Sequence, residues 1–120
     1  MKNIAIFASG SGTNAQKIME HFATNKEIKV QLVLVNNPNA GAIQRAEKFN
    51  VPVVIFNRQQ FSKSDEVVDV LQSNDIDLVV LAGFLWLVPT YMVKAFPNKI
   101  VNIHPALLPN YGGKGMYGDN

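Results

Sequence analysis

An asparagine and a histidine, Asn102 and His104, stand two residues apart in the apolar run "KIVNIHP". If this run is a strand, both side chains leave the same face, because successive residues of a strand alternate between its two faces. The amide of asparagine can donate a hydrogen bond. Histidine can donate to a developing oxyanion and carry a proton near neutral pH. The pair favours stabilisation of a transition state on a bound carbonyl over a purely structural role.

Neither a protein nucleophile nor a metal site accompanies this pair. The chain has no cysteine, and no serine lies in a nucleophile-elbow pattern. The other histidine, His21, falls in a predicted helix, so no cluster of metal ligands surrounds His104 and we expect no metal. The attacking nucleophile is therefore expected to belong to a substrate.

The second chemically informative segment is the glycine-rich turn "SGSGTN" at 9–14. With the following alanine it matches G-x-G-x-x-A between a strand-type run and a helix-type pattern. Glycines allow the backbone to approach an anion, and the start of a helix supplies free N–H groups and a positive dipole end. Ser11, Thr13 and Asn14 add side-chain donors. The turn predicts a phosphate site, and the alternative is a tight turn with an ordinary helix cap.

A dinucleotide is not favoured at this turn. That function calls for an acidic residue at the end of the second strand, to bind the ribose. Here that strand ends in "VNNPNAGA", with Asn36 and Asn37 and no carboxylate. No arginine nearby suggests NADP either. A single phosphate, as on a ribose phosphate, fits the pattern better.

The third segment is apolar where a loop after a strand is usually polar. It consists of Leu85, Trp86, Leu87 and Val88. Periodicity alone favours packing in the core or a lead-in to the next helix. The functional alternative is the wall of an apolar pocket for a flat aromatic ligand, in which Trp86 either stacks or fills space.

Apolar blocks alternate with helix-type blocks along the chain, which places these three segments. The predicted strands are 3–8, 29–36, 52–56, 77–83 and 99–104, and the predicted helices are 14–24, 41–49, 62–73 and 89–96. This order predicts a doubly wound, mostly parallel, Rossmann-like α/β sheet with helices on both faces. Ligands of such sheets bind outside the carboxyl ends of the strands, so we expect the three segments to meet there.

Composition narrows the class of protein further. With 120 residues, 48% of them hydrophobic, the chain matches one domain with one core. The net charge of +2 comes from scattered Lys and Arg, which argues against nucleic acid. The N-terminal apolar run breaks at glycine too early for a secretory signal, and no segment approaches a membrane span. These features predict a cytoplasmic protein without a membrane partner.

Three motifs together resemble the folate-dependent glycinamide ribonucleotide formyltransferases of purine synthesis, also called phosphoribosylglycinamide formyltransferases. They are "SGSGTN", "VVLAGF" with its apolar continuation, and "NIHPALLPNYGGKGMYG". The resemblance runs from residue 1 to about 118. Methionyl-tRNA formyltransferases and formyltetrahydrofolate deformylases share the N-I-H-P-x-L-L-P segment. The "GSGTN" and "GGKGMYG" segments favour the glycinamide ribonucleotide enzymes.

The resemblance implies a role for each segment. The phosphate of glycinamide ribonucleotide would rest on Gly12, Thr13 and Asn14. For the co-substrate, 10-formyltetrahydrofolate, it implies a site formed by Leu85, Trp86, Leu87, Val88 and Asn102. Asn102 and His104 would be the catalytic residues, stabilising the oxyanion while the glycinamide amine attacks the formyl carbon.

The chain also departs from this family. Trp86 stands where the family often has a basic residue. Family members continue further and add a loop whose aspartate pairs with the catalytic histidine; Asp119 is not assigned that role. We therefore expect the domain at 1–120 to be incomplete at its carboxyl end, with an open sheet edge where a second copy of the chain could pair.

Two alternatives remain beside the formyltransferase. One is a ribose-phosphate-binding fragment without catalysis, suggested by the intact glycine turn and the missing aspartate. The other is a related formyl-handling enzyme. The deformylases usually carry an extra N-terminal domain and the tRNA enzymes a C-terminal RNA-binding one, neither of which is visible in the sequence.

Overall fold

The computed structural model describes residues 1–103 and 116–117. The strands are β1 (Lys2–Ala8), β2 (Ile28–Val35), β3 (Val53–Ile55), β4 (Leu78–Ala82), β5 (Ile100–Ile103) and β6 (Met116–Tyr117). The helices are α1 (Thr13–Phe22), α2 (Ala42–Lys48), α3 (Arg58–Ser62), α4 (Glu66–Ser73) and α5 (Thr90–Ala95). No helix in this described part is long and apolar enough to cross a membrane.

The strands form one sheet in the order β3-β2-β1-β4-β5-β6. Strands β1 to β5 run parallel, and β6 is antiparallel to β5. The chain builds outward from β1 to β3, then returns to the other side of β1 for β4 and β5. The order therefore reverses between β1 and β4, which opens a crevice at their carboxyl ends. The predicted doubly wound, mostly parallel fold is confirmed.

Side chains of the central strand β1 divide the core into two layers. Ile4 and Ile6 pack on one face with buried residues of α1 and α2, which we call the α1–α2 face. Ala5 and Phe7 pack on the other with buried residues of α3, α4 and α5, the α3–α5 face. Since both faces of β1 are covered, its sequence is continuously apolar rather than alternating. This arrangement holds the strand-end loops on a rigid platform.

The helix predicted at 62–73 is present as α4, but its predicted start is wrong, because Ser62 belongs to a separate helix, α3. Asn57 Oδ1 accepts the N–H of Gln60 at 2.8 Å, and Gln60 Oε1 accepts the N–H of Asn57 at 2.8 Å. This capping box begins α3 at Arg58, and Ser62 is its last residue rather than a cap. The chain then turns before α4 begins at Glu66. The N-x-x-Q spacing was the signal for this start.

The edge of the sheet beside β5 is also less open than predicted. β6 pairs with the first half of β5, joining Ile100 to Tyr117 and Val101 to Met116. The rest of β5, Asn102 and Ile103, pairs with β4 alone in the described part of the chain. Backbone groups of the first half of β5 therefore have partners that the sequence did not reveal.

Candidate functional site

The glycine turn and the apolar loop lie side by side, because they follow the neighbouring strands β1 and β4. The buried hydroxyl of Ser9 accepts the N–H of Leu85 at 3.0 Å. Asn14 Nδ2 lies 3.8 Å from the position that a Cβ on Gly83 would take. These contacts confirm the expectation that the first two segments meet, and Ser9 is the residue that joins them.

The glycine turn is also in backbone contact with the start of α2. The N–H of Gly41 donates to the carbonyl of Gly10 at 3.0 Å. A Cβ on Gly12 would stand 2.5 Å from Ala42 Cα, and one on Gly41 would stand 2.6 Å from the carbonyl oxygen of Ser11. Gly12 also has a φ of 81°, a conformation that costs other residues energy. Only glycine permits this approach.

The start of α1 has N–H groups that find no acceptor among the described residues. Gly12 is its N-cap residue and provides no side-chain cap. Within residues 1–103 and 116–117, the N–H groups of Gly12, Thr13 and Asn14 donate to no protein acceptor. The alternative of an ordinary capped turn is therefore not what the structure shows. Free donors together with the positive end of the helix dipole form an arrangement suited to an anion.

The apolar loop at 85–88 divides between core and surface. Trp86 and Val88 pack against the α3–α5 face of the core. Leu85 and Leu87 are 81% and 87% exposed. The sequence left two interpretations open, packing in the core or the wall of a ligand pocket. Two residues of the loop pack in the core, and the two exposed ones remain available for a ligand. The two exposed leucines form an apolar surface beside the glycine turn, of the kind that suits a flat ligand.

Trp86 of this loop packs against aromatic rings of the core. The Trp86 ring contacts Phe56, Phe61 and Phe84 at centroid distances of 5.9, 5.9 and 6.2 Å. The guanidinium of Arg58 lies 4.0 Å from the Trp86 ring centroid, a cation–π contact. Trp86 therefore holds the loop in place through the core, and no sequence pattern indicated Arg58 as its partner.

A tyrosine on α5 connects that helix to the aromatic cluster through a hydrogen bond to α3. The hydroxyl of Tyr91 donates to the carbonyl of Phe61. Burial, and then the neighbouring Asp65 carboxylate, raise the pKa of the Tyr91 phenol. The hydroxyl therefore keeps its proton and its donor role across the physiological range.

Asn102 lies on β5 beside Leu81 of β4, and Leu81 precedes the loop that begins at Gly83 by two residues. Strand alternation places the Asn102 side chain on the α3–α5 face, with Ile100. Its Oδ1 atom is buried, and no donor in the described part of the chain reaches it. His104, the other predicted catalytic residue, and Asp119 lie outside the described residues. The strand-end position of Asn102 agrees with the prediction, and its role stays a prediction.

One further residue contacts the glycine turn, and the sequence did not reveal it. Arg45 of α2 donates from Nε to the carbonyl of Ser11 at 2.7 Å. Arg45 follows Ser11 by 34 residues, so only the packing of α2 against the turn brings them together. Among the described residues, no group of three His, Cys, Asp or Glu side chains could hold a metal ion.

The fold and the site define a doubly wound α/β protein with a glycine turn, an apolar loop and a polar strand-end residue at the carboxyl ends of neighbouring strands. The family model described as formyl transferase matches residues 2–118. The chain belongs to this formyl transferase family.

Relatives within the family match nearly the whole chain. A chloroplastic phosphoribosylglycinamide formyltransferase of Arabidopsis thaliana is 42% identical, covering 98% of this chain and 42% of that protein. The phosphoribosylglycinamide formyltransferase of Haemophilus influenzae is 38% identical, covering 98% of this chain and 58% of that protein. The crystal structure of glycinamide ribonucleotide transformylase 1 from Geobacillus kaustophilus aligns with a TM-score of 0.80 at 38% identity, covering 95% of this chain and 63% of that one. The chain therefore spans about half the length of these relatives.

Proposed function

We propose that the protein transfers a formyl group from 10-formyltetrahydrofolate to the amine of N1-(5-phospho-D-ribosyl)glycinamide, a step of purine (IMP) biosynthesis. The observation that carries the proposal is that the N–H groups of Gly12, Thr13 and Asn14 have no acceptor among the described residues and lie beside an exposed apolar loop in a formyl transferase fold. A phosphorylated ligand and a flat ligand can be held side by side there. Relatives that are named phosphoribosylglycinamide formyltransferases support this choice of substrates.

The glycine turn would bind the phosphate of the glycinamide substrate. The three free N–H groups are aligned with the start of α1, and their partial positive charge favours an anion. The hydroxyl of Thr13, an exposed residue, adds a donor. A dinucleotide would need an acidic residue at the end of β2 to bind its ribose, and positions 36 and 37 are asparagines. This agrees with a ligand that carries a single phosphate.

The loop at 85–88 would carry the pterin ring of the folate. Leu85 and Leu87 present apolar surface, while Trp86 and Val88 hold the loop against the core. The N–H of Leu85 is already taken by Ser9, so the backbone groups that meet the edge of the ring lie beyond it. Because Trp86 faces inward, its presence in place of a basic residue leaves the ligand surface intact.

Asn102 and His104 would act on the formyl group. The amine nitrogen of glycinamide attacks the formyl carbon, and the carbonyl oxygen becomes an oxyanion that the two side chains stabilise. A proton then passes from the attacking nitrogen to the folate nitrogen, with His104 as carrier, and the bond between that nitrogen and the formyl carbon breaks. The products are the N-formylated glycinamide and tetrahydrofolate.

The proposal extends to the setting of the reaction. Residues 1–120 would belong to one α/β domain that acts on small molecules in the cytoplasm, with neither nucleic acid nor a metal as a partner. Homo-oligomerisation is proposed as well, through Asn102 and Ile103 of β5, which pair with β4 alone among the described residues.

The direct test is turnover by the full-length protein with 10-formyltetrahydrofolate and different acceptors. The proposal expects tetrahydrofolate to appear only when glycinamide ribonucleotide is present. Release of formate without any acceptor would instead identify a deformylase, and transfer to methionyl-tRNA would identify the tRNA enzyme. If the protein binds ribose 5-phosphate but shows no turnover under any condition, it is a phosphate-binding protein without catalytic activity.

Replacement of Leu87 by serine is expected to weaken folate binding without harming the fold. The side chain is 87% exposed, so the free energy of unfolding should change by less than about 0.5 kcal/mol. Loss of an apolar contact with the ligand should raise KM for 10-formyltetrahydrofolate by about tenfold. Steady-state kinetics with each substrate varied in turn measure the change.

Ile55→Ser is the matched control for Leu87→Ser. Ile55 is also a large aliphatic residue at the carboxyl end of a strand and is 49% exposed, but it lies on β3 at the far edge of the sheet. Its replacement should leave both KM values unchanged. An equal rise of KM in the two variants would mean that the loop at 85–88 has no special contact with the folate.

A further inference from the structure

The carbonyl groups of the glycine turn point toward α2. The carbonyl of Gly10 accepts the N–H of Gly41 at 3.0 Å, and the carbonyl of Ser11 accepts Nε of Arg45 at 2.7 Å. Two consecutive peptide groups of the turn are therefore held by the same helix start. One of these contacts is from backbone and the other is from a charged side chain.

Holding these carbonyls also sets the direction of the N–H groups. A trans peptide is planar, and its N–H points opposite to its C=O. Since the carbonyl of Ser11 faces Arg45, the N–H of Gly12 faces away from α2. The contact from Gly41 turns the N–H of Ser11 in the same way. The N–H groups of Ser11 and Gly12 are thus directed away from α2 by contacts to the carbonyls of the same peptides.

Arg45 is itself held in place by α1. Its Nη1 donates to Oε1 of Gln16, and Nε2 of Gln16 donates to Oε1 of Glu20 at 2.8 Å. Arg45 is half-buried, and none of its contacts in the described part of the chain is with a carboxylate. Its orientation is therefore fixed by α1, while its positive charge has no directly paired anion close to the turn.

The geometry points to Arg45 as a positioning residue for the phosphate of the ribonucleotide substrate. It orients the peptide between Ser11 and Gly12, so that the N–H of Gly12 meets the phosphate, and its charge adds to the attraction. This inference rests on the proposed function, because it takes the anion at the turn to be the substrate phosphate. Arg45 does not contact the reacting atoms and is not a catalytic residue.

Arg45→Met and Arg45→Lys in the full-length protein test this role. Methionine keeps an apolar stem and removes both hydrogen bonds. Lysine keeps the charge, but its single terminal nitrogen cannot occupy both the Nε and the Nη1 positions. We expect both variants to raise KM for glycinamide ribonucleotide, by about tenfold for Met and somewhat less for Lys, as loss of a charge-assisted hydrogen bond predicts. KM for the formyl folate and kcat should change by less than about twofold, because the folate loop and Asn102 are untouched.

Lys48→Met is the matched control, since Lys48 is an exposed cation in the same helix and makes none of the hydrogen bonds to the turn found among the described residues. It removes one positive charge and should leave KM for the ribonucleotide within about twofold. Full recovery of affinity by Arg45→Lys would show that charge alone matters and would overturn the positioning role. An equal effect of Lys48→Met, or an equal loss for both substrates, would overturn it as well.

Ribose 5-phosphate binding by calorimetry separates failure of this inference from failure of the proposed function. If the wild-type protein does not bind ribose 5-phosphate, the proposed phosphate site is wrong. If the wild-type protein binds and Arg45→Met binds equally well, the site stands and the inference about Arg45 fails. Urea unfolding of each variant identifies a loss of affinity that comes only from unfolded protein.

Discussion

Replacement of Asn102 by leucine is expected to lower kcat for formyl transfer by about 10²–10³-fold and, at the same time, to stabilise the fold by about 1 kcal/mol. The first effect follows from removing one hydrogen-bond donor to the oxyanion. The second follows from burial: Oδ1 of Asn102 is buried and no donor in the described residues reaches it. A side chain of similar size without polar atoms avoids that desolvation cost.

Because kcat is expected to fall while the free energy of unfolding rises, this test is more specific than a loss of activity alone. Replacing a residue with a structural role should lower both stability and activity. Replacing a residue that serves the chemistry at a cost in stability should lower activity and raise stability. Single-turnover kinetics and urea unfolding of the full-length protein measure the two quantities. His104→Ala should cause a similar loss of kcat. The double variant should be little worse than either single one, because both residues serve one oxyanion.

Asn74→Leu is the matched control. Nδ2 of Asn74 donates to the carbonyl of Val70 at 2.7 Å, so this asparagine is satisfied within its helix end. Its replacement should lower stability slightly and leave kcat unchanged. A large fall in stability for Asn102→Leu with kcat intact would mean that the strand-end asparagine is structural.

Gly12→Ala is expected to destabilise the protein by about 3 kcal/mol, through two separate causes. The φ of 81° is unfavourable for alanine. The new Cβ would also stand 2.5 Å from Ala42 Cα, and backbone on both sides leaves no flexible side chain to move aside. Folded molecules should bind the ribonucleotide poorly, because the turn must shift away from α2 to admit the methyl group.

Alanine variants of two other glycines, Gly10 and Gly83, serve as comparisons for Gly12→Ala. A Cβ on Gly10 would meet no atom within 4 Å, and Gly10 has no positive φ, so Gly10→Ala should change stability by less than about 1 kcal/mol. Gly83 has a φ of 71° but only Asn14 Nδ2 nearby at 3.8 Å, so its alanine variant should fall between the two. Thermal and urea unfolding of the three variants give the order. Equal stability of Gly10→Ala and Gly12→Ala would contradict the close approach of the turn and α2.

The pattern of apolar blocks was enough to predict the fold class. Parallel strands covered on both faces must be apolar throughout, and the structure confirms five of them near the predicted positions. Chain order then implied that the strand-end segments meet, and the hydrogen bond between Ser9 and Leu85 shows that two of them do. The helix predicted at 62–73 is present from Glu66, but its start was predicted too early, because Ser62 was taken as a cap whereas it ends α3, which the capping box of Asn57 begins.

The sequence by itself determined the strands, their parallel order and the residue types at the crevice, because these depend on local periodicity and on chain connectivity. Only the tertiary structure decided that Trp86 turns inward while Leu85 and Leu87 stay exposed, and that Arg45 holds the carbonyl of Ser11. Contacts between residues far apart in the chain depend on how helices pack across the sheet. No pattern within one segment carries that information. Contacts of this kind, from Gly41 and Arg45, hold the glycine turn.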